Sequence, residues 1–266
     1  VEPHPVASRA RTASGTTGGG GGMNLFADAL AWIFAPEQWT GRAAIGSAIG
    51  VHLLFTIISV LLAAAVAVPL GWLIGHTGRG REIAVIVSGA ARAVPSFGLL
   101  ILLVLLFGVL HRPEAAVVTF VLLAIPSILA GAYAGVEAID PATRDSGRAM
   151  GMTEWQVLWR IEVPLGLPLL VAGLRSATLQ VVATVTIAAY VNLGGLGQYI
   201  IAGIPLRRYD MVLGGALLVI ALALLLDLLF AVLQRVAVPR GLRAGRAART
   251  GAPTAARATA TAPVPS

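Results

Sequence analysis

Residues 51–74 read VHLLFTIISVLLAAAVAVPLGWLI, a stretch without one formally charged side chain. An α-helix needs about 20 consecutive apolar residues to cross the roughly 30 Å hydrocarbon core of a bilayer. Lipid offers backbone N–H and C=O groups no partner, so a spanning segment must satisfy them internally, as a helix does. The stretch is therefore predicted to be a transmembrane helix, with a start as early as Ile45. Reading outward finds four more apolar runs: residues 83–110, which contain Arg92 and Pro95; 115–136, with Pro126 inside; 165–190; and 211–233. The expected fold is an all-α membrane bundle of about five spans.

Composition agrees and excludes several functions. The chain is 57% hydrophobic and 12% charged, with mean hydropathy +0.86. It has no cysteine, hence no disulfide framework or thiolate metal site, and its four histidines show no metal-ligand spacing. All 19 basic residues are arginines and the formal charge is +7. On a soluble chain that excess would suggest nucleic acid. Here the arginines flank apolar runs, where they orient helices against the membrane surface, so lipid is the expected contact and nucleic acid is not. A phosphate-binding Gly-x4-Gly-Lys-Ser/Thr loop is impossible without lysine. No nucleophile–base pair stands out, so the chain is expected to be neither an enzyme nor the holder of a cofactor. Aromatic residues are sparse and dispersed, with no sign of a cage for a quaternary ammonium.

The ends read differently from the middle. Residues 1–22 are rich in Arg, Ser, Thr and Gly and end in five glycines, the composition of a disordered leader. Met23-Asn24-Leu25 then reads like a genuine start, and the leading valine fits a misassigned start codon, so the leader is expected to be untranslated. Within 23–43, Leu25, Phe26, Ala29, Leu30 and Ile33 share a helical face near Trp32 and Trp39, which predicts an amphipathic helix lying in the interface. The alternative is a short helix packed against protein. The membrane region is read over 44–236, and 237–266 as a disordered, Arg/Ala/Pro-rich tail.

Arginine placement orients the spans. With the C-terminus inside, the inner segments receive Arg79, Arg81, Arg144, Arg148, Arg160, Arg235, Arg240, Arg243, Arg246, Arg249 and Arg257. The outer ones receive Arg9, Arg11, Arg42, Arg112, Arg207 and Arg208. Positive charge favours the cytoplasmic side, so the C-terminus is expected there.

This topology puts the longest polar loop, residues 137–160, in the cytoplasm. Residues 143–150 suit a short helix, and Gly151 can end it by taking the left-handed conformation of a C-cap. Thr153 looks like the N-cap of a second helix running to Arg160. A helix–glycine–helix element exposed there is a docking knob in search of a groove.

Asp145-Ser146-Gly147-x3-Gly151, followed after nine residues by Ile161-Glu162-Val163-Pro164, resembles the EAA loop of bacterial ABC importer permeases, Glu-Ala-Ala-x3-Gly-x9-Ile-x-Leu-Pro. Glycine, isoleucine and proline match in register, with Asp for Glu, Ser-Gly for Ala-Ala and Val for Leu. Arg148-Ala149-Met150-Gly151-Met152-Thr153 is similar to the R-G-M-G-M-T run of the osmoprotectant branch, which takes up glycine betaine, choline or proline betaine. Residues 162–168, EVPLGLP, resemble its E-L-P-L-A-L-P, and residues 173–178, GLRSAT, its G-I-R-T-A-T. Val94-Pro95-Ser96, Gly194-Gly195-Leu196-Gly197 and the ALLLD of 223–227 also resemble branch motifs. The resemblance implies a type I importer permease-like bundle with a cytoplasmic coupling helix in a bacterial cell membrane. It implies that Asp145, Ser146, Gly147, Arg148, Met150, Gly151, Met152 and Thr153 meet the ATPase, with Ile161 and Pro164 closing the loop. It further implies three partners: an ABC ATPase subunit carrying ATP and Mg, a second permease copy or paralogue, and an extracytoplasmic solute-binding protein.

Charge inside a bilayer is costly and usually faces a partner or a cavity. Arg175 and Asp227 are each expected within about 15 Å of the inner face, from their offsets at 1.5 Å per residue, and are predicted to pair. Arg92 lies one turn before Pro95, which frees backbone carbonyls; both are candidate pathway residues, although the branch often has glutamine at the position of Arg92. Gly194, Gly195 and Gly197 mark a candidate outer gate. Two alternatives stand beside the importer of compatible solutes: an ABC permease for another small solute such as an amino acid, and an ion-coupled secondary carrier. The carrier would require internal repeats and broken helices around a midplane ion site, and no repeat is visible.

Overall fold

The computed structural model describes residues 21–41 and 44–237, and every regular element among them is helical. Residues 1–20 and 238–266 lie outside the described residues, and with them most of the leader expected over 1–22, most of the tail expected over 237–266 and the expectation of a late start; Gly21, Gly22 and Ala237 belong to helices. In chain order the helices are α1 (Gly21–Phe34), α2 (Ile45–Thr77), α3 (Arg81–Ala93), α4 (Ser96–Phe107), α5 (Arg112–Glu137), α6 (Pro141–Ala149), α7 (Glu154–Val157), α8 (Val163–Val185), α9 (Gly197–Gly203) and α10 (Tyr209–Ala237). Tight 3-10 turns occupy Pro36–Trp39, Val109–His111 and Thr186–Val191, and a π-helical turn occupies Leu158–Glu162.

Four continuous helical runs are long and apolar enough to cross a membrane: Ile45–Thr77, Val109–Glu137, Glu154–Val191 and Tyr209–Val236. The expected span over 83–110 is instead two helices, α3 and α4, bent by 88° at Val94-Pro95. Proline disfavours helical geometry in the residue before it, and Val94 is accordingly extended (φ −72°, ψ 126°). The pair still travels from one end of the bundle to the other. Arg81, at its start, pairs at 2.6 Å with Glu137 at the C-terminus of α5, and its end runs through Val109–His111 into Arg112 at the N-terminus of α5. It is a broken span, which makes five crossings.

At the centre lies α5, between α2 and α8; α3 and α4 pack on α5, and α10 packs on α8 and carries α1 and α9. Lipid tails are as apolar as leucine, so helices associate in a bilayer through close packing and hydrogen bonds rather than by escaping water. Small residues make that packing possible here. A β-carbon on Gly131 would sit 2.8 Å from both the Gly173 Cα and the Leu169 carbonyl oxygen, and one on Gly135 would sit 2.6 Å from the Gly166 oxygen. On the other side of α5, Gly75 of α2 is equally crowded by Tyr133 and Val136. Phe120, Ile128, Leu100, Val181 and Val185 fill the space beside these contacts.

Helix α1 packs along α10, with Ala29, Trp32 and Ile33 buried. Trp32 stacks edge-on against Tyr199 at 5.1 Å, and its ring lies against Gly214. Phe26 and Leu30, assigned to the apolar face, are exposed, because the buried stripe is rotated toward Trp32.

Candidate functional site

The polar loop folds into a helical hairpin at one end of the bundle. Asp140 opens α6 by accepting the Ala142 N–H at 2.9 Å, and Pro141 occupies the first turn, where no N–H is needed. Gly151 (φ +84°) closes it: its N–H donates to the Arg148 carbonyl at 2.9 Å and that of Met152 to the Gly147 carbonyl at 3.2 Å, the paired bonds of a Schellman cap. Thr153 then caps α7 in a reciprocal box. Its hydroxyl accepts the Gln156 N–H, and the Gln156 side chain accepts the Thr153 N–H at 3.0 Å. The second helix does not stop at Arg160. After one α-turn it widens into the π turn and continues into α8, so that Pro164 falls in the first turn of α8.

Arg148 holds the hairpin shut. Its guanidinium donates twice to Glu154, at 2.9 and 3.0 Å, and once to Asp145 at 3.0 Å. These carboxylates raise the Arg148 pKa further, through the Glu154 hydrogen bonds above all. The face turned outward carries Met150 and Trp155, 73% and 67% exposed. Gly147 lies flat on the π turn, where a β-carbon would come 2.6 Å from the Ile161 Cδ1. That atom is the free tip of a flexible side chain. Gly147→Ala is therefore expected to stay within about 1 kcal/mol of wild type in thermal unfolding, the gain in helix propensity offsetting a rotamer change at Ile161.

Beneath the hairpin is a cluster that composition did not reveal. Glu162, fully buried at the end of the π turn, receives the His76 Nδ1–H at 2.6 Å from the last turn of α2. Arg144 of α6 lies 3.8 Å from its other oxygen, and Glu154 lies 3.6 Å from His76 Nε2.

Within the spans, Arg175 and Asp227 meet through two hydrogen bonds of 2.6 Å, tying α8 to α10. The Gln234 side chain donates to the Pro168 carbonyl at 3.2 Å, which places the C-terminal end of α10 at the hairpin end. The glycine-rich segment 192–197 lies at the opposite end, with Asn192, Gly194 and Gly195 all at positive φ. It is fastened by His52, buried in α2, whose Nδ1 accepts the Leu196 N–H at 3.3 Å while Nε2 donates to the Val182 carbonyl at 3.1 Å. Sequence reasoning passed over His52 because a histidine inside an apolar run reveals nothing of partners 130 residues away. His52→Leu strands a buried donor and is expected to cost about 1–3 kcal/mol, measurable by thermal unfolding in detergent. Pro95 sits at the elbow, and Arg92 lies in α3 with its side chain outside the described atoms. Phe97 and Tyr190, far apart in sequence, form an edge-on pair at 5.2 Å, which is two rings and short of a cage.

The chain is similar in sequence and in fold to known transport proteins. It is 32% identical over 194 residues to the glycine betaine/carnitine/choline transport system permease protein OpuCB of Bacillus subtilis, covering 73% of this chain and 88% of that one. The osmoprotectant import permease protein OsmW of Salmonella typhimurium is 34% identical over 198 residues, covering 72% and 91%. In fold it is similar to the inward-facing MetNI methionine ABC transporter, with a TM-score of 0.65 at 20% identity over 77% of this chain and 99% of that one. The bundle is thus of the type I importer permease kind. Residues 67–241 match the family model described as the binding-protein-dependent transport system inner membrane component. The five crossings, the capped hairpin and this match together make the chain a multi-pass membrane protein that belongs to the binding-protein-dependent transport system inner membrane component family.

Proposed function

We propose that this chain is the permease subunit of an ABC importer for compatible solutes such as glycine betaine, choline or proline betaine. The observation that carries the reading is the rigidly capped hairpin, which presents Met150 and Trp155 outward at one end of the bundle. A partner ATPase with ATP and Mg receives this hairpin through Asp145, Ser146, Arg148, Met150, Gly151, Met152 and Thr153, with Gly147 packed beneath on the π turn, while Ile161 and Pro164 anchor it to α8. Arg79, Arg81, Arg144, Arg148, Arg160 and Arg235 belong to the hairpin end, against Arg112, Arg207 and Arg208 at the other, which favours a cytoplasmic hairpin and C-terminus. A second permease copy or paralogue completes the pore, and lipid surrounds it.

The opposite end receives a loaded solute-binding protein, and Gly194, Gly195 and Gly197 serve there as an outer gate. Pro95 and Arg92 border the path at the elbow. Solute selection rests mainly with the binding protein. Family membership argues against an ion-coupled carrier. The test is co-purification with the ATPase subunit and uptake of radiolabelled betaine, choline and carnitine into liposomes with the cognate binding protein. ATP-dependent uptake of at least one is expected, and uptake that persists without the ATPase rejects the reading.

A further inference from the structure

Two routes lead from the hairpin into the bundle. One is covalent: α7, the π turn and α8 form one continuous helical run, so a displaced hairpin drags α8 directly. Helix α2 has no such connection. It is joined to the rest of the chain at this end only through residues 78–80, where Gly78 and Gly80 both have positive φ.

Side-chain contacts supply the second route: Trp159 of the π turn meets Trp72 of α2 edge-on at 5.5 Å, and the polar part of the route is the cluster on Glu162. Its carboxylate accepts from His76 at 2.6 Å, and Arg144 of the hairpin stands 3.8 Å from Oε1, which has no hydrogen-bond partner among the described residues. His76 has a second carboxylate, that of Glu154, 3.6 Å from Nε2, and Glu154 is itself clamped by Arg148. Hairpin, π turn and α2 thus meet at one buried carboxyl group. Glu162 is the last residue of the π turn, and its side chain is fully buried. Burying a carboxylate is costly unless it is paired and hydrogen-bonded, so a fold that needed only packing here would be served as well by an apolar side chain.

We infer that Glu162 is a positioning residue that carries hairpin displacement to α2 through His76, so that α2 and α8 move together. The inference rests on the proposed role of the hairpin in ATPase coupling, and it assigns that role a route into the membrane. Glu162 is fully buried beneath the hairpin. Its effect is therefore on solute moved per ATP hydrolysed.

The experiment uses the full complex with its ATPase and binding protein in proteoliposomes, measuring radiolabelled glycine betaine imported per ATP hydrolysed. Glu162→Gln and His76→Ala are each expected to lower that ratio by about tenfold, in the range of coupling free energies between linked sites, while the complex still co-purifies. The double variant should be no worse than either single one, because both break one link. His76→Lys, which restores a side-chain N–H donor facing Glu162, should recover a large part of the ratio. A wild-type ratio in either single variant overturns the inference, including the case in which stability falls and the ratio does not. If Glu162→Gln fails to fold, the partly exposed partner His76 supplies the same readout. Absence of ATP-driven uptake in the wild-type complex overturns the coupling role of the hairpin, and this inference with it.

Discussion

Gly131→Leu is expected to destabilise the bundle by about 3 kcal/mol or more. The β-carbon alone would lie 2.8 Å from the backbone of Gly173 and Leu169, so no rotamer change can relieve the clash. The whole α5–α8 crossing must widen, and Gly135 loses its contact with Gly166 at the same time. Overpacking usually costs about 1–3 kcal/mol, and a contact between two backbones belongs at or above the upper end. Against a net stability of about 5–15 kcal/mol, that is a large fraction. Thermal unfolding in detergent, followed by tryptophan fluorescence, measures it. Gly89→Leu is the control, since the β-carbon position there meets nothing within 4 Å. Equal stability of the two variants would mean that the crossing is not close-packed.

The second large effect is at Arg175 and Asp227. Arg175→Asp alone sets two carboxylates against each other between α8 and α10, and Asp227→Arg alone sets two guanidinium groups there. Each single reversal is expected to reduce monodisperse protein, read by size-exclusion chromatography, on the order of tenfold, because unpaired charge is poorly tolerated in a span. The double swap should restore the yield. Failure to rescue would show that the pair's orientation, rather than its attraction, matters. The bidentate geometry makes Arg175→Lys informative too: a point charge keeps the attraction and loses one of the two hydrogen bonds, so an intermediate yield is expected.

Local chemistry made some features legible. The cap at Gly151 and the box at Thr153 depend on residues within a turn or two of each other, and both are visible in the bare sequence. The spans are equally plain, since apolar length is a property of contiguous sequence. Proline at 95 is visible too, but its consequence is not. Pro69 and Pro126 lie within unbroken helices, whereas Pro95 sits at an 88° elbow. A proline removes one hydrogen bond in each case, and the surrounding packing decides whether the helix bends or absorbs the loss.

The glycine pairs were hidden for a related reason. Gly131 and Gly135 stand four apart, a spacing that suits close packing, yet Gly166 and Gly173 are seven apart, and nothing in their spacing names α5 as their partner. His52 and His76 show the limit most clearly. Each stands alone in an apolar stretch, and its partner, Val182 in one case and Glu162 in the other, is 130 or 86 residues away.

The run at 51–74 was enough to establish a helix that crosses a bilayer, because hydrocarbon solvation and backbone hydrogen bonding act on consecutive residues. What that helix does at its ends was settled by folding. At one end His52 fastens the glycine-rich segment, and at the other His76 meets the buried carboxylate beneath the hairpin. Those contacts depend on side-chain distances between chain segments far apart in sequence, which exist only once α2, α5 and α8 have packed.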